Sequence, residues 1–342
     1  MVDKTVRTIA DLARLAGVSK STVSRALSDS PLISAETRQR IQALAQQHHF
    51  RLNQAARQLT MQKSRTVAFV THVHYQNNLV HVSHLNPFFM DILSAASFTL
   101  ANNGYDLLMA HVDYADSDWP QRYVDTGKAD GFILIASSRK LQLVQTLRKA
   151  GAPFVVWGLP LENLPIPSVT GDNLMGGRLA TEHLLQRGRQ RIACLGGPQD
   201  DYEAHQRYLG YEMALQAADK TVDSSLLAYG DYTSESGAQA MHQLLQQAPD
   251  LDAVFASSDA MAIAAIRVLQ THGRRVPADV AVVGYDDLPT AQYNTPPLTT
   301  IRQNLERYGQ LLAENLIRYL EIGEVVKSMV PVQLIVRASS GE

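Results

Sequence analysis

The sequence predicts a small all-helical head joined to a two-lobed α/β body. Three observations carry that prediction. Residues 9–28, IADLARLAGVSKSTVSRALS, have the spacing of a helix-turn-helix. From Arg65 onward, short apolar runs alternate with amphipathic stretches, the pattern of parallel sheets covered by helices on both faces. Charge divides at the same boundary: residues 1–65 hold 11 Lys and Arg against 4 Asp and Glu, and the rest hold 20 against 29. A basic head on an acidic body is the footprint of a phosphate-binding module on a sensor.

In the head, Ile9, Leu12 and Ala13 open a first helix, with Thr8 as its N-cap and Asp11 three residues on. Gly17 takes the tight turn, Ala13 lets the two helices approach, and the β-branched Val23 locks the second helix onto the first. Ser19 caps that second helix, which runs to about Leu27 and is the one a helix-turn-helix lays in the major groove. Its first turn presents Lys20 and Ser21 to base edges, and Arg25, a turn later, reaches toward guanine O6 and N7. Thr8, Thr22 and Ser24 complete the head's candidate DNA contacts, the last two placed for phosphates. Ser34 caps a third helix, AETRQRIQALAQQ. Ile41, Leu44 and Ala45 form its core stripe, and Arg38 and Arg40 lie on polar faces.

Asn53 to Thr60 then forms a helix-compatible segment too short to be stable alone. Asn53 caps it, and Ala55, Ala56 and Leu59 make one small apolar face. Such a segment is expected to order when paired with its own copy on DNA. Asn53, Ala56, Arg57 and Leu59 are its candidate DNA contacts, Leu59 as a minor-groove wedge.

The stretch TIADLARLAGVSKSTVSRALSDSPLISAETRQRIQALAQQHHFRLNQAARQL resembles the head and hinge of the LacI/GalR family of transcriptional repressors, almost without interruption. The resemblance implies operator-reading roles for Lys20, Ser21 and Arg25 and an intercalating role for Leu59. Leu52 departs from the pattern, since the family has proline there, and a rigid approach to the hinge is lost.

In the body, VAFV, YDLLMAH, GFILIA, FVVWG, SVTGD, RIACLGG, AVFASSD and VAVVGYDD read as short buried strands, with amphipathic helices between them. They suffice for two sheets, and ligands of such folds bind beyond the carboxyl ends of strands. NPFF (86–89), DGFIL (130–134), RIACLGGP (191–198), RYLGYEMAL (207–215), DVAVVGYDD (279–287) and PPLTTIRQ (296–303) resemble the periplasmic-binding-protein-like core of the same family. The expected division is a head over 1–51, a hinge over 52–64 and a core over 65–342. Within the core, an N-lobe spans about 65–170 and 301–330, and a C-lobe about 171–300 and 331–342. The sequence stops shortly after LIVRASS without a heptad tail, so a homodimer is expected rather than a dimer of dimers.

The resemblance also implies an effector site. Arg207 matches the family arginine that donates to a ligand hydroxyl or carbonyl, and its planar fork suits paired hydroxyls. Asp286 matches the aspartate that accepts from hydroxyls. Phe88 and Phe89 sit at the mouth of the first body helix, Tyr232 falls at an aromatic position, and Ser258 stands where many sugar-responsive members have Asn.

Other chemistries lack support. His72, His74, His81 and His84 cluster in what reads as a loop insertion, with no carboxylate or cysteine beside them, so no metal is assigned. GxGxxG, GxxxxGK[ST] and GxSxG are absent, and no catalytic site or cofactor is expected. The single cysteine, Cys194, excludes an internal disulfide. No apolar run approaches the roughly 18 residues of a membrane span, and no signal peptide opens the chain, so a cytoplasmic protein is expected. The expectation is a sequence-specific regulator of palindromic operator DNA, controlled by a sugar or glycoside. A purine- or nucleoside-type co-repressor is the alternative, and a solute-binding protein the reading from another class.

Overall fold

The computed structural model describes residue 6 and residues 8–27, 29–50, 63–76, 79–82, 87–112, 116–135, 140–158 and 164–341. It divides into two compact units, Met1–Arg65 and Thr66–Glu342. In the first, three helices pack on one another: α1 (Ile9–Ala16), α2 (Lys20–Leu27) and α3 (Ala35–Gln47). Each begins on the cap its sequence provides. The Thr8 hydroxyl accepts from Asp11 N (3.2 Å) while the Asp11 carboxylate accepts from Thr8 N (3.1 Å), a reciprocal capping box. Ser19 Oγ accepts from Thr22 N and Ser34 Oγ from Thr37 N. Gly17 ends α1 at φ 66°, where a side chain would be strained. Leu12, Val23, Ala26 and Ile41 are fully buried between the helices, and Leu44 packs half-buried against them.

The second unit holds two sheets. The first contains β1 (Thr66–Gln76), β2 (Leu79–Val82), β3 (Asp106–Val112), β4 (Gly131–Ile135), β5 (Phe154–Trp157) and β6 (Ser168–Gly171), with β12 (Lys327–Val330) at one edge. The order is β12-β6-β5-β4-β1, with β3 on the other side of β1. Helices α4 (Pro87–Asn102), α5 (Trp119–Val124) and α6 (Lys140–Lys149) follow their strands. The second sheet runs β13-β11-β10-β9-β7-β8: β13 (Gln333–Ile335), β11 (Thr299–Arg302), β10 (Ala281–Asp286), β9 (Ala253–Ala256), β7 (Ile192–Gly196) and β8 (Leu227–Tyr229). Its helices are α7 (Asn173–Gln186), α8 (Tyr202–Ala217), α9 (Ser234–Gln247), α10 (Asp259–Thr271) and the short α11 (Pro289–Tyr293). β4, β5, β7, β9 and β10 are buried along their whole length, as strands covered on both faces must be.

Two readings of the sequence change here. The histidine-bearing stretch is a hairpin rather than a loop insertion: β1 continues to Gln76 and pairs antiparallel with β2, placing His74 opposite His81. Thr71, Val73, Tyr75, Val80 and Val82 are strand formers at alternate positions, and the polar residues between them break up the apolar run. The second sheet is also not purely parallel, because β13 runs antiparallel to β11.

The chain passes between the sheets three times. It leaves β6 for α7 at 172, leaves β11 for the long α12 (Leu305–Ile322) at 303–304, and leaves β12 for β13 at 331–332. The second passage falls after Arg302 because β11 stays paired with β10 to its end, Asp286 opposite Arg302. α12 packs its Tyr308, Leu312 and Leu316 into the core of the first lobe. Among the described residues no helix is long and apolar enough to cross a membrane.

Candidate functional site

In the head, α2 separates its faces cleanly. Val23 and Ala26 are buried, while Lys20, Ser21, Ser24 and Arg25 are exposed and Thr22 is half-buried. Ser21 Oγ lies 2.7 Å from Ser19 Oγ, so the cap also orients one reading side chain. The charged and hydroxyl groups expected to meet DNA therefore share one exposed face, fixed by a core of small residues. Thr8 spends its hydroxyl on the α1 cap. Asn53, Ala56, Arg57 and Leu59 lie outside the described residues.

In the core, the C-terminal ends of β7, β9 and β10 bring together side chains far apart in sequence. Arg207, on α8, is buried. Its Nε donates to Asn173 Oδ1 (2.8 Å) and its Nη1 to the Ser257 carbonyl (2.6 Å). The guanidinium lies 3.8 Å from the Tyr285 ring centre and 5.8 Å from that of Tyr232. Burial alone disfavours its charge, but the surrounding Tyr285, Tyr232, Asp286 and Glu203 more than offset this and raise its pKa. Such an arginine is a fixed cation with its fork orientation set.

α8 approaches α7 closely enough to place Arg207 only because both helices carry glycine. A Cβ on Gly177 would meet the Arg207 backbone, and one on Gly210 would meet Arg178 N at 2.6 Å.

Asp286 ends β10 at φ 119°, an unfavourable conformation for a side-chain-bearing residue. Its Oδ1 accepts from Gln303 Nε2 (2.8 Å), and Gln303 Oε1 accepts from Tyr308 of α12 (3.0 Å). Burial pushes its carboxyl up to about 6, with Arg207 and Gln303 pulling the other way. Asp259 is fully buried beside it, accepting from Thr300 Oγ1 (2.5 Å) and Leu288 N (2.8 Å). Burial, then the neighbouring Asp286, push the Asp259 carboxyl well above the usual range. Tyr232 donates to Asp201 Oδ1 (2.9 Å), and its ring covers Gly197.

Arg207, Tyr232 and Asp286 thus converge. Ser258 is adjacent, but its hydroxyl accepts from Met261 N and caps α10. The serine before it is the one with a spare group: Ser257 Oγ is buried without a hydrogen-bond partner. Phe88 faces the first lobe's core, edge-on to Phe89 (5.3 Å) and Trp157 (5.4 Å), and Phe89 is half-buried. Trp157 in turn lies 6.2 Å from Tyr308, so an aromatic ladder runs from Phe88 to the Gln303–Asp286 pair.

Asn173, Ser257, Asp259, Gln303 and Tyr308 escaped sequence reasoning as site residues. Gln303 closes PPLTTIRQ (296–303), a phrase that carries the family resemblance, which was the available signal. Among the described residues no group of His, Cys, Asp and Glu suits a metal ion.

Comparison with known proteins gives a consistent result. Residues 8–53 match the family described as bacterial regulatory proteins, lacI family, and residues 181–340 match a periplasmic binding protein-like domain. The HTH-type transcriptional regulator CelR of Thermobifida fusca is 38% identical over 338 residues, covering 97% of this chain and 98% of that protein. A solved CelR–cellobiose complex superposes with a TM-score of 0.74 at 37% identity, over 97% of this chain and 99% of the other. The lac repressor dimer bound to operator and the anti-inducer ONPF gives a TM-score of 0.81 at 26% identity, over 98% and 99%.

Proposed function

The chain belongs to the LacI family of bacterial regulatory proteins, a sequence-specific DNA-binding transcriptional regulator, and from that premise we propose that a carbohydrate effector, held at Arg207 and Asp286, controls its grip on operator DNA. Its relatives are transcriptional regulators rather than enzymes.

The observation that carries the effector reading is the pairing of a fully oriented donor with a fully oriented acceptor. Arg207 is pinned by Asn173 and the Ser257 carbonyl, and Asp286 is pinned by Gln303. Fixed donors and acceptors at strand ends suit vicinal hydroxyls, which offer both functions at a set spacing. The Tyr232 ring supplies a flat apolar surface for the C–H face of a sugar. The relative solved with cellobiose supports a glucoside as first choice.

The heads act as a pair. A twofold dimer reads the two halves of a palindrome, Lys20, Ser21 and Arg25 contacting base edges and Thr22 and Ser24 phosphates. Asn53, Ala56, Arg57 and Leu59 engage the centre of the operator, Leu59 as a wedge. Effector binding closes one lobe on the other about the three crossings. By linkage, operator affinity changes as much as effector affinity differs between the two states, about 5- to 150-fold for 1–3 kcal/mol. The setting is the cytoplasm, where the operator is.

The test begins with an operator selected from a random DNA pool and footprinted with the full chain. Fluorescence anisotropy is then run with cellobiose, other sugars, adenosine and hypoxanthine. The proposal expects a protected inverted repeat and a sugar-dependent shift. A shift produced only by the purines would replace the carbohydrate reading, and the absence of any inverted repeat would remove the paired-head reading.

A further inference from the structure

We propose that Asp287 is a positioning residue for effector control: an ionic clamp that holds the Asp286 corner and ties it to the second crossing and to the segment after β13. The proposal rests on the reading that Asp286 meets the effector.

Three consecutive residues, starting with the last of β10, bind three different parts of the core. Asp286 binds Gln303, at the second crossing. Leu288 sends its side chain into the core of the first lobe, beside Phe88, Trp157 and Tyr308, while its N–H donates to Asp259 of the second. Asp287 lies between them with both carboxylate oxygens engaged: Oδ2 accepts from Arg302 Nε (2.6 Å) and Oδ1 from Arg337 Nη2 (2.7 Å). Its side chain is only 6% exposed and that of Arg337 16%, so the Arg337 pair is shielded from water, while Arg302, 49% exposed, lies nearer solvent.

Arg302 adjoins a crossing, and Arg337 stands at the opposite end of β13, beside the start of β11. Arg302 ends β11, and the next residue is Gln303. Arg337 follows β13, the strand entered from the third crossing. It is itself held, its N–H and carbonyl by Thr299 Oγ1 (2.8 Å each) and its Nη1 by the Leu298 carbonyl (2.8 Å). One carboxylate therefore joins the corner that carries Asp286 to the end of β11 at the second crossing and to the segment that follows β13.

The backbone explains why a clamp is needed. Asp286 at φ 119° and Asp287 at φ 60° are adjacent non-glycine residues in the left-handed half of conformational space. Such a corner persists only where its surroundings over-determine it. The clamp supplies that constraint. It fixes the direction of the Asp286 carboxylate and makes the corner move with the second crossing when the lobes close.

Two substitutions of Asp287 in the full chain separate charge from backbone. Asp287→Asn keeps a residue that tolerates φ near 60° and removes the charge. Asp287→Gly relieves the backbone and also removes the charge. A purely conformational role would leave the glycine variant like wild type. The clamp predicts that both variants behave alike. Cellobiose affinity should fall about tenfold by calorimetry, and the sugar-dependent change in operator affinity should shrink by about threefold or more. Operator affinity without sugar should stay within about twofold. Arg337→Met should reproduce the loss, and adding it to Asp287→Asn should lose little more.

Hydrogen exchange reads the clamp without any ligand. The Gln303 amide, bonded to the Asp286 carbonyl (3.3 Å), and that of Leu305 should exchange faster in both variants, while amides of α9 and α10 keep their wild-type rates. Unchanged exchange at 303–305 overturns the proposal. So does wild-type cellobiose affinity and response in both variants, or a glycine variant that alone retains them. If the wild type responds to no sugar of the panel, the carbohydrate reading fails, and exchange at 303–305 by itself decides the clamp.

Discussion

Replacing Gly177 by alanine sets two physical effects of opposite sign against each other, and the structure says which wins. Gly177 lies inside α7, where alanine is the better helix former by about 1 kcal/mol. Its added Cβ, however, would stand 2.8 Å from the Arg207 carbonyl carbon and closer still to the oxygen, where ordinary contacts are 3.4–4 Å. The obstacle is main chain in α8, which cannot swing aside like a side chain. Clearing the oxygen requires the helices to separate by about 1 Å or more, an overpacking cost at the upper end of roughly 1–3 kcal/mol. The net expectation is a loss of about 2 kcal/mol, or roughly 4–8 °C in the melting temperature of a core this size. The displaced residue is Arg207 itself, so its 2.8 and 2.6 Å bonds to Asn173 and Ser257 stretch together. Cellobiose affinity should fall about tenfold with them, since bonds to a charged group are worth about 1.5–3 kcal/mol. Calorimetric melting and titration of the purified full chain measure both. Gly210→Ala should act similarly from the other side of the same contact, and the double variant should lose less than the sum. A Gly177→Ala protein that melts at or above wild type would refute the reasoning: helix propensity would have prevailed and the two helices would not be in backbone contact.

Arg207→Met should abolish the effector response while leaving operator binding without effector intact by anisotropy; a retained response would mean the site lies elsewhere. Arg25→Ala should weaken operator binding by roughly 1–3 kcal/mol at one base position, read from a panel of single-base variants. A loss uniform across the panel would make Arg25 a phosphate contact instead. For Asp286, whose carboxyl is pushed up to about 6, folding and effector binding depend on pH in opposite directions. The folded state holds the proton more tightly than the unfolded chain, so the contribution to stability is complete below the ordinary carboxylate range and is lost as pH rises through about 6. A hydroxyl-accepting carboxylate must be ionised, so cellobiose affinity should instead fall about tenfold between pH 7 and pH 5. A flat titration profile would remove Asp286 from the ligand contact. Because Glu203 and Asp286 both face Arg207, the described lining is net acidic. A 6-phosphorylated cellobiose should bind at least about tenfold more weakly than cellobiose, and equal or tighter binding would contradict that balance.

The head was legible in the sequence down to single atoms, because its determinants are local. A cap and its partner are three residues apart, the turn needs one glycine, and the apolar stripes of α1 to α3 repeat with the helix. β4, β5, β7, β9 and β10 were equally plain, since a strand buried on both faces is an unbroken apolar run, whereas β11, TTIR, lies inside the second sheet without one. The three- and four-residue edge strands β8, β12 and β13 were not, for they carry too few residues to show a period. β2 was hidden in the same way, its apolar residues interrupted by histidine.

What the sequence by itself determined was the kind of machine: a DNA-reading head, an α/β sensor, and the residue types that face the ligand. The tertiary structure decided which of those residues are held, and by what. Arg207 finds Asn173 34 positions away, Asp286 finds Gln303 17 away, and Asp287 finds Arg337 50 away. Each pairing exists only because the fold lays α8 on α7 and sets β11 and the segment after β13 beside the end of β10. Local periodicity records which face of an element is buried. It carries no record of which distant element the fold will lay beside it, and that is where the cleft acquires its geometry.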